Sequence, residues 1–129
     1  MLLVEDNLTN QQVAKAILRQ AGADVDVAAD GAAAVAACDS AIYTLVLMDV
    51  QMPGMDGLEA TRTIRASERA AARTGGHEHR HCIIGLTAAG GPDFERECRL
   101  AGMDDYLTKP VSRTTLVQAL VDAAGRGAG

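Results

Sequence analysis

The sequence predicts an α/β fold: a single doubly wound sheet of five parallel strands with helices on both faces. Three observations carry this prediction. Short apolar runs alternate five times with longer segments of helical period. The junctions carry breakers such as Gly22, Asp30-Gly31, Pro53-Gly54, Pro92 and Gly102. At 129 residues the chain makes one domain, long enough to bury a real core. Parallel strands joined through helices cross over right-handedly, so five such units lay their helices on both faces of one sheet.

In order, Leu2, Leu3 and Val4 form a brief apolar strand that ends in Glu5-Asp6-Asn7. A helix is expected over residues 7–22, with Val13, Ile17, Leu18 and Ala21 on one face and Gly22 as its stop. Val25 and Val27 alternate with polar neighbours over 24–28, a second strand. Asp30-Gly31 is a turn, and the alanine-rich stretch 32–38 a helix. Residues 43–48 are an apolar run of the kind buried on both faces, and Pro53, Gly54 and Gly57 turn the chain out of the sheet just after Asp49. A helix follows over 58–73 with Leu58, Thr61 and Ile64 inward. Residues 74–81 read as a polar loop, 82–86 as the fourth strand and 87–91 as a loop of small residues. Pro92 suits the first turn of a helix to Ala101, which Gly102 stops. Residues 105–107 are a short fifth strand, and Ser112 caps a last helix through Ala124. The domain is expected over 1–124, with a disordered tail at 125–129.

Hydrophobic residues make up 48% of the chain but aromatics only 2%, so the core must be built from Val, Leu, Ile, Ala and Met. A formal charge of -5 and a pI near 5.0 argue against a nucleic-acid surface. Cys38, Cys82 and Cys98 lack C-x-x-C spacing and read as small buried hydrophobes in a reducing compartment. No apolar run is long enough to span a membrane, and Met1 leads straight into a strand rather than a signal peptide. The expected location is cytoplasmic; the cytoplasmic part of a membrane-bound protein would read the same.

In such a sheet the carboxyl ends of the strands share one rim, where ligands of open α/β folds bind. Those ends hold Glu5 and Asp6 after the first strand, Asp49 after the third, Thr87 after the fourth and Lys109 after the fifth. Taken alone, Asp49 has two open readings: a carboxylate whose charge is used, or an ordinary Asp that starts a turn or caps the next helix. Taken together, three carboxylates, a hydroxyl and an ammonium make a functional constellation. Like charges this close raise one another's pKa and destabilise the site unless a cation sits among them. Hard oxygen ligands suit Mg²⁺, which keeps coordination sites for a phosphate, and Lys109 offers a point charge to a phosphoryl oxygen.

At these residues the chain resembles a response-regulator receiver domain over essentially its whole length. The matching pieces are Val4-Glu5-Asp6-Asn7, Met48-Asp49, Met52-Pro53-Gly54-Met55-Asp56-Gly57, Leu86-Thr87-Ala88 and Lys109-Pro110. Each is weak alone, but five in the right order at strand ends are specific. The stretch from Glu5-Asp6-Asn7 through Asn10-Gln11-Gln12-Val13 is similar to receivers attached to hybrid sensor histidine kinases. The resemblance implies the flavodoxin-like strand order 2-1-3-4-5.

It also implies roles. Asp49 would be the nucleophile that takes a phosphoryl group from the phosphohistidine of a histidine kinase or histidine phosphotransfer domain. Asp6 would bind Mg²⁺ directly and Glu5 through water, with Asp49 and the backbone carbonyl of Gln51 as further ligands. Lys109, before a peptide bond to Pro110 that is typically cis, would pair with phosphoryl oxygens. Thr87 and the Ala88 amide would hold another oxygen, and Tyr106 would change position when Thr87 is drawn in. Gln51 and Ala89 would flank the hydrolytic water. The domain would catalyse its own phosphorylation and dephosphorylation at Asp49, with no kinase activity, nucleic-acid binding or direct membrane contact of its own.

Other features have plainer readings. Arg62, Arg65, Arg69 and Arg73 form a stripe that Glu59 and Glu68 interleave, expected as a solvated face rather than a docking surface. His77, His79 and His81 are expected in an exposed loop; without a carboxylate or Cys frame, a transition-metal site is the lesser reading. Tyr106 is either the switch or plain core, and the methionines around the Asp49 loop are gap-fillers. Two other functions compete with the receiver. A haloacid-dehalogenase-type phosphatase would carry D-x-D after the first strand, where this chain has Glu5-Asp6-Asn7. An interaction module with a lapsed site would lack one of the site residues, all of which are present.

Overall fold

The computed structural model describes residues 1–74, 80–88, 90–109 and 111–128, with side chains up to residue 123. Ten elements alternate along the chain: β1 (Leu2–Val4), α1 (Leu8–Gln20), β2 (Asp26–Ala28), α2 (Gly31–Ser40), β3 (Leu45–Asp49), α3 (Gly57–Arg73), β4 (Cys82–Thr87), α4 (Pro92–Ala101), β5 (Asp105–Thr108) and α5 (Arg113–Ala128). The strands form one parallel sheet in the order β2-β1-β3-β4-β5. The expectations for His77, His79, Ala89, Pro110 and Gly129, and for the side chains of the tail, lie outside the described residues.

Strand side chains alternate between faces, and this splits the core in two. Leu2, Val4, Val46, Met48 and Ile83 point to one face, where Ala34 and Cys38 of α2, Ala60 and Ile64 of α3 and Cys98 of α4 cover them. Leu3, Leu45, Leu47, Ile84 and Leu86 point to the other, under Leu18 of α1 and Leu116, Ala119 and Ala123 of α5. The central strand β3 is therefore buried along its whole length, as its apolar run requires.

The helix starts follow local chemistry. The side chains of Asn7, Asp30 and Asp56 accept the backbone N–H three residues on, capping α1, α2 and α3. Pro92 opens α4, and Gly102, at φ 105°, closes it in the left-handed region. Thr61, fully buried in α3, returns its hydroxyl to the Gly57 carbonyl at 2.8 Å.

Several sequence expectations need correction. Ala21, expected on the inner face of α1, is exposed, and Cys82 is only partly buried. The last helix, α5, continues past Ala124 to Ala128, where a tail is expected. Val13 is 56% exposed, because it lies about 140° round α1 from the buried Leu18 and falls off the apolar face. Arg65 is not part of a solvated stripe; it is 6% exposed, and its guanidinium donates to the Gly102 carbonyl (2.9 Å), the His81 carbonyl (2.7 Å), Glu68 (2.8 Å) and Asp104 (3.0 Å). His81, expected in an exposed loop, is 4% exposed. Its Nδ1 lies 2.9 Å from Glu68 Oε2, which also accepts the His81 backbone N–H at 2.7 Å. Asp104 in turn accepts the Ile83 N–H and pairs with Arg80. This network ties α3 to the amino ends of β4 and β5.

Burial alone would raise the Glu68 carboxyl, but the hydrogen bonds from His81 and Arg65 outweigh it and hold the pKa down to about 2. A depressed carboxyl stabilises the fold above its unfolded value of 4.5, and that contribution is lost as pH falls toward 2. Arg65→Ala takes the central cation from two partly buried carboxylates, leaving Glu68 to His81 and Asp104 to Arg80, and is expected to cost about 3 kcal/mol at pH 7. Arg65→Lys should recover little of this, since an ammonium cannot serve four acceptors in one plane. Urea midpoints at pH 7 and pH 3 check both points: the gap between wild type and Arg65→Ala should narrow at the lower pH.

Candidate functional site

Register assembles the site. Val4 pairs with Met48, so Glu5 and Asp49 leave adjacent strands at one level. Asp49 pairs with Leu86, which puts Thr87 one step further on β4, and Thr87 pairs with Thr108, followed by Lys109. The Lys109 N–H donates to the Thr87 carbonyl at 2.6 Å, extending the ladder to the residue that carries the ammonium. Behind Asp49 the chain turns back so tightly that a Cβ at Gly57 would strike the Asp49 carbonyl oxygen and come within 2.8 Å of Val50 Cα. Only glycine allows that approach, and the Gly57 N–H then bonds the Val50 carbonyl at 2.9 Å.

Four charged groups meet there. One oxygen from each of Glu5, Asp6 and Asp49 can be chosen so that all lie within 4.8 Å of one another. Lys109 Nζ sits 3.2 Å from Asp49 Oδ1 and 3.3 Å from Glu5 Oε2. Glu5 and Asp49 are buried, at 4% and 3% exposure, while Asp6 faces solvent. Asp49 Oδ1 also accepts the Gln51 N–H at 3.1 Å. Burial and the nearby Glu5 charge raise the Asp49 pKa to about 6, against the opposing pull of Lys109 and the Gln51 N–H. Burial pulls Lys109 down, but the Asp49 and Glu5 carboxylates outweigh it and hold its pKa above the ordinary value.

The other expected residues lie at the ends of β3 and β4 and in β5. Thr87 is buried at the end of β4 and Ala88 is exposed directly after it. Gln51 is exposed and meets Asp49 through its backbone. Tyr106 stands in β5, one strand from β4 and opposite Gly85, half-buried against the core and edge-on to Phe94 of α4 with ring centroids 5.6 Å apart. Pattern reading missed the residues that hold Glu5. The Asn7 N–H and Asn10 Nδ2 reach its Oε1 at 3.2 and 3.4 Å, and Gln11 Nε2 donates to its backbone carbonyl at 2.6 Å. Their signal was the run of amides within one turn of an acidic strand end.

The profile of the response regulator receiver domain matches residues 1–121, and the chain belongs to that family. The sensor protein GacS of Pseudomonas syringae pv. syringae is 42% identical over 125 residues, which is 97% of this chain and 13% of that protein. The virulence sensor protein BvgS of Bordetella bronchiseptica is 38% identical over 129 residues, 99% of this chain and 10% of that protein. The chain thus spans only a small part of these sensor proteins. Among solved structures, the receiver domain of the sensor histidine kinase PA1611 from Pseudomonas aeruginosa PAO1, with a magnesium ion coordinated in its active-site cleft, is 42% identical with a TM-score of 0.81, covering 96% of this chain and 95% of that one. The receiver domain of Ssk1 in its co-crystal with the Saccharomyces cerevisiae histidine phosphotransfer protein Ypd1 is 31% identical with a TM-score of 0.91, covering 99% and 90%.

A carboxyl whose folded pKa of about 6 exceeds its unfolded 3.8 favours the fold at low pH, and that advantage is lost as pH rises through 6. Asp49→Asn is therefore expected to stabilise the metal-free protein by about 1–3 kcal/mol at pH 7.5, the gain fading as pH falls toward 4. Denaturant melts in a chelator across that range measure it.

Proposed function

We propose that the chain is the phosphoacceptor module of a two-component phosphorelay, taking a phosphoryl group from phosphohistidine onto Asp49. The observation that carries this reading is a buried carboxylate at the end of the central strand, 3.2 Å from an ammonium and beside two further carboxylates. Its partner would be a histidine kinase or a histidine phosphotransfer domain, and its setting the cytoplasm, including the cytoplasmic part of a membrane-bound hybrid kinase.

The donor set fits a small divalent cation. Three carboxylates against one ammonium leave two formal negative charges, and all the ligands are hard oxygens. Glu5, Asp6, Asp49 and the Gln51 carbonyl would hold Mg²⁺. Once bound, the ion neutralises charge on the transferring phosphoryl group.

The rest is the work of this chain's own side chains. An Asp49 oxygen attacks phosphorus in line; the new O–P bond forms as the P–N bond breaks, and the electron pair leaves on the donor imidazole. Lys109 exchanges its carboxylate contacts for phosphoryl oxygens. The Thr87 hydroxyl and the Ala88 N–H donate to a further oxygen. Water attacking the same phosphorus later returns the carboxylate. Incubation with acetyl phosphate and Mg²⁺ should add one hydroxylamine-labile phosphate per chain, and Asp49→Asn should add none. Full labelling of that variant would sink the assignment.

Output is separate from chemistry in this reading. When Thr87 turns toward the phosphoryl group, the space it leaves admits the Tyr106 ring, and the surface of α4, β5 and α5 changes with it. Both states exist beforehand, and phosphorylation shifts their balance. Thr87→Ala should still accept phosphate at Asp49, yet show much smaller amide shift changes over α4, β5 and α5 when saturated with beryllofluoride. Full-sized shifts would make Tyr106 plain core.

A further inference from the structure

The α3 helix holds four of the chain's twelve basic residues, and the structure divides their tasks. Arg65 turns inward and is consumed by its four acceptors. Arg62, Arg69 and Arg73 stay exposed. At about 100° per residue, positions i, i+7 and i+11 fall within roughly 20° of one line, so these three form a single row along about 16 Å of helix.

The acidic residues that should neutralise the row do not. Glu68 is turned inward to Arg65 and His81. Glu59 lies in the first turn, where its charge suits the positive end of the helix dipole, and it makes no ion pair with Arg62. Among the described residues no carboxylate pairs with Arg62, Arg69 or Arg73. Arg73 has the carbonyl end of α3 to offset; Arg62 and Arg69 have nothing of the kind. Within a chain of net charge -5, this row is thus a narrow cationic strip without an ion-pair partner among the described residues.

We propose that the row Arg62, Arg69 and Arg73 docks an acidic α-helix of a partner protein. The strip is one helix wide, and guanidinium forks take carboxylates two-pronged, so a helix with Glu or Asp at the same i, i+7, i+11 spacing matches it along its length. An extended polyanion, duplex DNA or an anionic bilayer, would meet the negative remainder of the surface as well. None of the three residues belongs to the phosphoacceptor site, so docking survives Asp49→Asn.

The test is NMR titration of the labelled protein with two synthetic helical peptides of equal composition and charge. One carries its Glu residues in the matching row, the other has them spread round the helix. The row peptide should shift amides along α3 and bind about fivefold or more tightly than the other, with the difference vanishing in high salt. The triple variant R62Q/R69Q/R73Q should lose about tenfold in affinity for it while keeping its denaturant midpoint. Equal affinity for both peptides, shifts away from α3, or an unchanged triple variant overturns the proposal. So does tighter binding to phosphatidylserine vesicles or duplex DNA, or concentration-dependent shifts on α3 without peptide, which would assign the row to lipid, nucleic acid or a second copy of this chain.

Discussion

The crowding of Glu5, Asp6 and Asp49 around a single ammonium is the constraint on which the rest of this structure depends. Two of the carboxylates are buried, and Lys109, their one cation among the described residues, arrives from the far side of β4. Such a group holds together only if every backbone around it is fixed. The Gln11 amide fixes the Glu5 carbonyl, the Gln51 N–H steadies Asp49, and the Lys109–Thr87 ladder bond sets the lysine's starting point. The other end of the sheet shows the opposite balance. Around Arg65, the Glu68 and Asp104 carboxylates find enough donors, and the network stabilises the fold in the ordinary way. Charge is balanced around Arg65 and left in negative excess around Lys109.

Much of this was legible in the sequence, for a topological reason. Parallel strands bring their carboxyl ends to one rim whatever their order, so Glu5, Asp49, Thr87 and Lys109 could be gathered before any coordinates. The order itself came from the resemblance and not from periodicity. What stayed hidden depends on contacts between distant segments. The helical stripe showed Arg65 as one of four equal arginines, because its burial rests on Gly102 and Asp104, 37 and 39 residues further on. His81 is in a loop as expected, but it read as exposed because its partner Glu68 lies in a different element. Val13 looked apolar enough to be core, but its angular place on α1 counts for more than its side chain.

The fourth helix is fastened unequally. Its last turn ends at Gly102, whose carbonyl is gripped by Arg65, and the Met103 N–H closes on Cys98. Its first turn has no side-chain cap; Gly91 stands there at φ 135° and Pro92 brings no donor. The end nearer Thr87 is thus the less constrained one. Phe94, in that first turn, is also the residue against which Tyr106 packs.

The close approach of Gly57 to the Asp49 carbonyl has an evolutionary reading. The connection between β3 and α3 is pinned at both ends, by a glycine with no room for a methyl group and by the Gly57–Val50 hydrogen bond. One residue more or fewer would rotate the first turn of α3 by about 100° and take that glycine out of the gap. Insertion and deletion are therefore closed to any sequence that keeps this packing, and Val50 and Met52, buried in the core, are held by it as well. The length of this segment is as much a part of the site as its residues.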